Sequence, residues 1–167
     1  MSSKSNISKS IRYGDYHIRR ASLSDLDAIF EIEQTCSGTP WQIESLRQDL
    51  SGDNNAFYWV AALEASSGIA AYGACWHMVD QAEIMNVAVL PEWRRKGIAG
   101  QILHAMERHA HQNGLQSLIL EVRERNEPAR QLYRRNGFSE IACRHHYYPD
   151  NRENAIIMSK KISETYD

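Results

Sequence analysis

The stretch from Met85 to Gly100 constrains the architecture more than any other part of the chain. Apolar residues Val87, Ala88, Val89 and Leu90 run up to Pro91, a basic turn follows at Arg94, Arg95 and Lys96, and a helix begins among Gly97, Ile98, Ala99 and Gly100. A strand that runs straight into a helix start aims several unpaired backbone N–H groups at one point, with the positive end of the helix dipole behind them. Such a point binds an anion, and a phosphate is its natural guest. The basic side chains add charge there, and the two glycines let a ligand approach the backbone with no Cβ in the way. The segment predicts a phosphate-bearing ligand docked at a strand-to-helix turn.

Two familiar phosphate loops do not fit. A Walker loop needs Gly-Lys followed by Ser or Thr, whereas here Lys96 precedes Gly97 and Ile98 follows. The dinucleotide fingerprint needs Gly-x-Gly-x-x-Gly directly after a strand, which Gly97 to Gly100 do not supply. The order Arg94-Arg95-Lys96-Gly97-Ile98-Ala99 instead resembles the Gln/Arg-x-x-Gly-x-Gly/Ala loop of the GNAT acetyltransferases, which holds the pyrophosphate of acetyl-CoA.

The residues downstream extend that likeness. Ile98, Ile102, Leu103, Met106 and Ala110 recur at helical spacing, so a long helix is expected from Gly97 to about Asn113, with Gly114 ending it. Ser117 to Val122 reads as a strand, and Arg123 to Pro128 as a loop in which Asn126 can cap a short helix over Ala129–Arg135. A strand follows from Phe138. The segment Asn126 to Phe138 resembles the Asn-x-x-Ala-x-x-x-Tyr-x-x-x-Gly-Phe signature of the same superfamily, on Asn126, Ala129, Tyr133, Gly137 and Phe138. Upstream, strands are expected near 16–20, 57–64, 69–79 and 82–90, and helices near 23–34, with Ser22 or Ser24 as cap, and 42–50.

The resemblance implies a mixed α/β fold, an α+β arrangement with one central twisted mixed sheet flanked by helices. Acetyl-CoA would be bound at a splayed strand pair and at the loop before the long helix. Within the superfamily, Asn86 to Val89, Leu120 to Arg123, Tyr147-Tyr148-Pro149 and Asn154 to Met158 are similar to one bacterial group, as is an early Pro40-Trp41. That group acetylates the N-terminal alanine of ribosomal protein eighteen of the small subunit. The likeness runs from about residue 16 to 162. It departs at the N-terminus, which the group usually lacks, and at Ala99, where many members carry Gly.

Composition agrees with one globular domain. The 167 residues suffice for a single core but are short for two, and 43% hydrophobic with 24% charged residues are globular values. A net charge of -2 marks no nucleic-acid-binding surface. Cys36, Cys75 and Cys143 are odd in number and scattered, which argues against a disulfide framework or zinc site. No apolar run approaches the roughly 20 residues of a membrane span. Residues 1–11 are rich in Ser and Lys without an apolar centre, so they read as a disordered tail rather than a secretion signal. The expected layout is a tail over 1–14, the acetyltransferase domain over 15–162 and a short tail over 163–167, in a cytoplasmic monomer.

Moving an acetyl group from a thioester to an amine needs proximity, a polarised carbonyl, a proton acceptor for the amine and a proton for the thiolate. A backbone N–H from Val87, Ala88 or Val89 suits the carbonyl, and the pantetheine arm of the cofactor would lie along that strand. Glu121 sits in an otherwise apolar strand, where burial would raise its pKa toward that of a general base. The opposing reading is a strand-end glutamate in water or paired with Arg123 or Arg125. The resemblance implies that Glu121 is the base and Tyr133 the acid that protonates the leaving sulfur, although a tyrosine there can equally serve packing. It also places Arg94, Arg95, Lys96, Gly97, Ile98, Ala99, Gly100 and Asn126 against acetyl-CoA, and Trp41, Tyr147 and Tyr148 at the acceptor. Glu83 either helps bind the amine or is only a charged strand start. His104 and His111 share a helix face and His145-His146 point opposite ways, without partners for a metal, and the chemistry needs none. The expected partner is the N-terminal peptide of a ribosomal protein. A small-molecule amine as acceptor, or a non-catalytic acyl-CoA-binding module, remain the alternatives.

Overall fold

The chain lays down an antiparallel meander, crosses over through a long helix, and adds three more strands to the same sheet. The computed structural model describes residues 11–12, 14–52 and 54–164. The meander is β1 (Ile11–Arg12), β2 (Tyr16–Arg20), β3 (Ala56–Leu63), β4 (Ile69–His77) and β5 (Gln81–Val89). Helices α1 (Leu26–Cys36) and α2 (Ile43–Leu50) are inserted between β2 and β3. Helix α3 (Ile98–Gln112) then carries the chain over to β6 (Ser117–Arg123), followed by α4 (Glu127–Arg135), β7 (Ser139–Arg144) and β8 (Ala155–Lys161). The sheet order is β1-β2-β3-β4-β5-β6-β8-β7, and among the described residues only β5 and β6 run parallel. A parallel neighbour requires a crossover, which is the job of α3.

Two boundaries differ from the expectation. Most of the tail expected over 1–14 lies outside the described residues, but Ile11 and Arg12 pair with Ile18 and His17, so the sheet begins before residue 15. The strand expected to reach Val79 stops at His77, because Met78 and Val79 form the exposed tip of the β4–β5 hairpin. Ser22 leads into α1 through a 3-10 turn, its backbone N–H donating to Asp25 Oδ2 at 2.9 Å.

The sheet is covered on both faces. On one, Leu26, Ile29 and Ile32 of α1 and Leu46 of α2 pack on Tyr58, Val60, Tyr72 and Ala88. On the other, Ile98, Ile102, Leu103 and Met106 of α3 pack on Trp59, Ala61, Leu118, Leu120 and Val122. Contact between α3 and β4 is so close that a Cβ on Gly73 would lie 2.4 Å from Ile102 Cγ2 and 2.7 Å from Met106 Cε. Near the end of α3, His109 is packed by Phe57, His77 and Trp59 at ring distances of 4.6, 4.8 and 5.2 Å, with Arg20 above the same Phe57 ring. Burial first, and then the charge of Arg20, push the His109 pKa down to about 4. Strand β7 forms the outer edge and is exposed along its whole length.

Two irregularities in β5 position everything that follows. Ala74 pairs with Asn86 and Cys75 with Ile84, so Met85 is an extra residue, a β-bulge. Ala82 and Ile84 belong to the core beneath α3, whereas Met85 and Ala88 pack toward α1 and α2. The parallel ladder with β6 covers only Gln81–Ile84 against Ser117–Leu120. Past the bulge the two strands part, while β6 stays paired to β8 as far as Arg123. The result is a V-shaped opening in the middle of the sheet.

Candidate active site

One arm of the V carries unspent backbone donors. Leu90 N–H donates to Ala70 O at 2.9 Å, so the alternation of an antiparallel ladder turns Leu90, Ala88 and Asn86 toward β4 and Val87 and Val89 away from it. The N–H groups of Val87 and Val89 therefore face the opening that β6 has left. Ala88, grouped with them in the sequence reading, spends its N–H on the β4 side and buries its side chain. The side chains of Val87 and Val89 pack on the core beneath α3.

The loop after β5 closes the base of the V. A 3-10 turn over Pro91–Trp93 leads to Arg95 at φ 61° and Gly97 at φ 77°, two left-handed residues that curl the chain into α3. The helix ladder starts with Gln101 N–H on Gly97 O at 3.2 Å, which leaves the N–H groups of Ile98, Ala99 and Gly100 ahead of it. Three successive donors at the positive end of a 15-residue helix make an anion cradle. The three cations do not act alike. Arg94 folds back, its Nε donating to Val89 O at 3.0 Å and its Nη2 reaching Cys36 Sγ at 3.8 Å, so it fastens the strand end. Lys96 sits with Nζ 5.1 Å from the Trp93 ring centre, and Arg95 is exposed beside the cradle. Gly100 lies against Asn136, whose Oδ1 would be 3.4 Å from a Cβ. Asn126 caps α4, with Oδ1 accepting from Ala129 N–H at 3.3 Å.

The other arm carries the ionisable groups. Along β6, Leu118, Leu120 and Val122 are buried while Ser117, Ile119, Glu121 and Arg123 are half-buried on the opposite face. Glu121 thus sits in a regular alternation instead of interrupting a buried run, and its side chain is 24% exposed. Its ionic partner is Arg144, with Nε 3.5 Å from Oε1, and not Arg123 or Arg125. Glu83 shares that face through its pairing with Ile119. Tyr147 joins them: a hydrogen bond to Glu121, then the charge of Glu121 and more weakly of Glu83, raise its pKa.

Tyr148 stands at 85° to Tyr147 with ring centres 5.2 Å apart, and the Arg123 guanidinium lies 3.9 Å from its ring centre. Arg123 also holds Asp150 at 3.0 Å and Glu153 at 3.4 Å, which fastens the β7–β8 turn to β6. Tyr133 reaches the site from α4, packed on Phe138 at 5.7 Å. Burial, and secondarily Tyr148, push its pKa up to about 12, so it keeps its proton at neutral pH.

The structure thus brings Glu121, Glu83, Tyr147 and Tyr148 together at the mouth of the V. Trp41 takes a place in the core on the α1–α2 side, where Met85 and Leu90 also pack. Its backbone N–H donates to a residue that the sequence reading did not single out, Glu33, at 3.3 Å. Glu33 is 1% exposed, and its other oxygen accepts from the Tyr72 hydroxyl and from Asn86 Nδ2. Among the described residues no three His, Cys, Asp or Glu side chains gather as a metal site, and no helix is long and apolar enough to cross a membrane.

Comparison with known proteins agrees with this geometry. Residues 26–138 match the profile of the acetyltransferase (GNAT) family. The [ribosomal protein bS18]-alanine N-acetyltransferase of Haemophilus ducreyi is 34% identical over 138 residues, covering 81% of this chain and 92% of that protein. The enzyme of the same name from Escherichia coli is 33% identical over 142 residues, covering 84% and 93%. A crystal structure of the ribosomal-protein-S18-alanine N-acetyltransferase from Escherichia coli superposes with a TM-score of 0.80 at 29% identity, over 91% of this chain and 97% of that one. With the strand-to-helix loop, the V in the sheet and the Asn126–Phe138 segment all in place, the chain belongs to the acetyltransferase (GNAT) family.

Proposed function

We propose that the protein moves an acetyl group from acetyl-CoA to the α-amine of an N-terminal alanine, that of a ribosomal protein of the bS18 type, by direct attack. One observation carries the reading: Glu121 stands on β6 just beyond the last rung shared with β5, where the free N–H groups of Val87 and Val89 begin. A proton acceptor and carbonyl-binding donors thereby flank one opening, the juxtaposition that attack of an amine on a thioester calls for.

The residues divide the work as follows. The N–H groups of Ile98, Ala99 and Gly100, with Arg95 and Lys96, hold the pyrophosphate, while Asn126 lies against the cofactor from α4. The thioester carbonyl oxygen accepts from the Val87 or Val89 N–H. The acceptor arrives as an ammonium between Glu121, Glu83 and the Tyr147–Tyr148 pair, and Glu121 removes one proton. The free nitrogen forms the N–C bond, the C–S bond breaks, and Tyr133 gives its proton to the sulfur. The second proton of the nitrogen, released as the amide forms, restores the phenol. Trp41 contributes to the acceptor pocket through the loop between α1 and α2.

The test is incubation of the purified protein with acetyl-CoA and short peptides bearing the ribosomal alanine N-terminus, following peptide mass and free CoA. One added acetyl on the α-amine, absent when the first residue is blocked, supports the reading. Turnover confined to small amines would move the acceptor to that class, and acetyl-CoA binding without transfer to any amine would overturn the enzymatic reading.

A further inference from the structure

We infer that Glu33 is a positioning residue that holds the cofactor strand and the acceptor loop in register through one buried carboxylate. It lies on α1, takes no part in the chemistry itself, and is the most deeply buried acidic group among the described residues. A carboxylate is kept out of water only where its lone pairs are filled. Here Oε1 accepts from the Trp41 backbone N–H at 3.3 Å, and Oε2 accepts from the Tyr72 hydroxyl and from Asn86 Nδ2 at 2.9 Å. Asn86 Nδ2 also lies 2.9 Å from the Tyr72 oxygen, so the three side chains close a triangle that joins α1, β4 and β5.

The place of Asn86 gives the triangle its meaning. It is the first residue after the bulge at Met85, where β5 leaves β6 and begins to offer the Val87 and Val89 N–H groups. A bulge bends the strand that carries it, and beyond this one β5 is held by its ladder with β4 and, at the first rung, by the Asn86 side chain. Glu33 holds that side chain from below. Its other oxygen holds the backbone of Trp41, the residue proposed above for the acceptor pocket. A second tether one turn along α1 supports the same strand: Cys36 Sγ reaches Val89 O at 3.5 Å, beside the Arg94 contact. Helix α1 thus grips β5 on both sides of Val87.

This inference rests on the reading that Val87 and Val89 bind the thioester carbonyl, and its test separates the two. Acetyl-CoA and CoA share the pyrophosphate and the pantetheine arm and differ in the acetyl group, so the ratio of their dissociation constants separates the donors that meet the acetyl carbonyl from the rest of the cofactor site. Calorimetric titration of Glu33→Gln, which keeps the shape and one carbonyl oxygen, is expected to leave CoA affinity within about twofold while acetyl-CoA binds about tenfold more weakly, the worth of one hydrogen bond. In peptide acetylation kcat falls by at least the same factor, while the amide oxygen left in place still accepts from the Trp41 N–H and the peptide KM changes little. Asn86→Ala reproduces the shift in the ratio, and the double variant is no worse than the worse single one.

An unchanged ratio with unchanged kcat overturns the inference. Equal weakening of both ligands in step with a lower melting temperature overturns it as well, since that is mere loss of fold. Additive losses in the double variant exclude a shared route through Asn86. If the wild-type protein acetylates no peptide, the acceptor reading fails, yet the affinity ratio still decides the role of Glu33.

Discussion

Arg144 Nε lies 3.5 Å from Glu121 Oε1, so the proposed base is already paired with a cation before any amine arrives. The guanidinium side chain is 59% exposed, and such pairs are worth about 0–1 kcal/mol. An incoming ammonium competes with Arg144 for the same carboxylate. Arg144→Ala is therefore expected to lower the peptide KM by up to about fivefold, with the difference fading at high salt. Glu121→Gln instead lowers kcat by about 10²-fold or more while acetyl-CoA affinity stays unchanged. Steady-state kinetics with calorimetry on both variants checks the pair. A Glu121→Gln enzyme with full kcat would remove Glu121 from the mechanism.

Tyr133 is expected to matter only when sulfur leaves. Its pKa of about 12 keeps the phenol protonated throughout the working range, so its titration stays invisible between pH 6 and 9, roughly the range of an assay. Tyr133→Phe keeps the packing on Phe138, hence the fold, and lowers kcat by about 10²-fold. An acetyl donor with a more acidic leaving thiol should recover much of that loss. No recovery would mean that the hydroxyl serves another step.

Gly73 predicts a packing defect. A Cβ there meets the side chains of Ile102 and Met106 at distances real contacts do not reach, and neither can leave the core between α3 and β4. Gly73→Ala should cost about 1–3 kcal/mol, lowering the melting temperature by several degrees. Because α3 begins at the cradle, acetyl-CoA affinity should fall with it. An unchanged melting curve would show that α3 shifts freely.

His109 makes stability depend on pH. Its folded pKa of about 4 lies below the 6.5 of a free imidazole, so between those values the unfolded chain binds the extra proton. The contribution is fully present above the higher value and is lost as pH falls toward the lower one, by about 1–3 kcal/mol. The melting temperature should drop between pH 7 and about 4.5, and His109→Phe should flatten that drop relative to wild type. Parallel curves for the two proteins would assign the acid sensitivity to other groups.

How much of this the sequence could carry depends on range. Gly97, Pro91, Asn126 and Gly114 act within a few residues of themselves, so the loop, the start of α3 and the cap of α4 could be read from neighbours alone. The burial of Glu33 could not. It sits two residues from exposed Glu31 in one helix, and its partners Tyr72 and Asn86 are 39 and 53 residues away. The bulge was hidden because Ile84 and Met85 are adjacent apolar residues, a pairing that a strand buried on both faces shows without any bulge. Glu121 was legible as a chemical outlier in its strand, but Arg144 comes from β7, whose side chains reach it only once β8 lies between the strands. Ile11 and Arg12 carry no alternation long enough to announce a strand, and pairing with β2 makes them one.

The parting of β5 and β6 also bears on solubility. Free strand edges invite pairing with other chains, and proteins commonly blunt them at the rim of a sheet. Here the unpaired N–H groups of Val87 and Val89 lie inside the sheet, between two strands that still converge at Ile84 and Leu120. A second polypeptide strand, with side chains on both faces, would have to wedge itself between two fixed neighbours to reach them. A thin arm, unbranched over the stretch nearest its sulfur, can slide in. The same geometry that offers backbone donors to an acyl carrier denies them to aggregation.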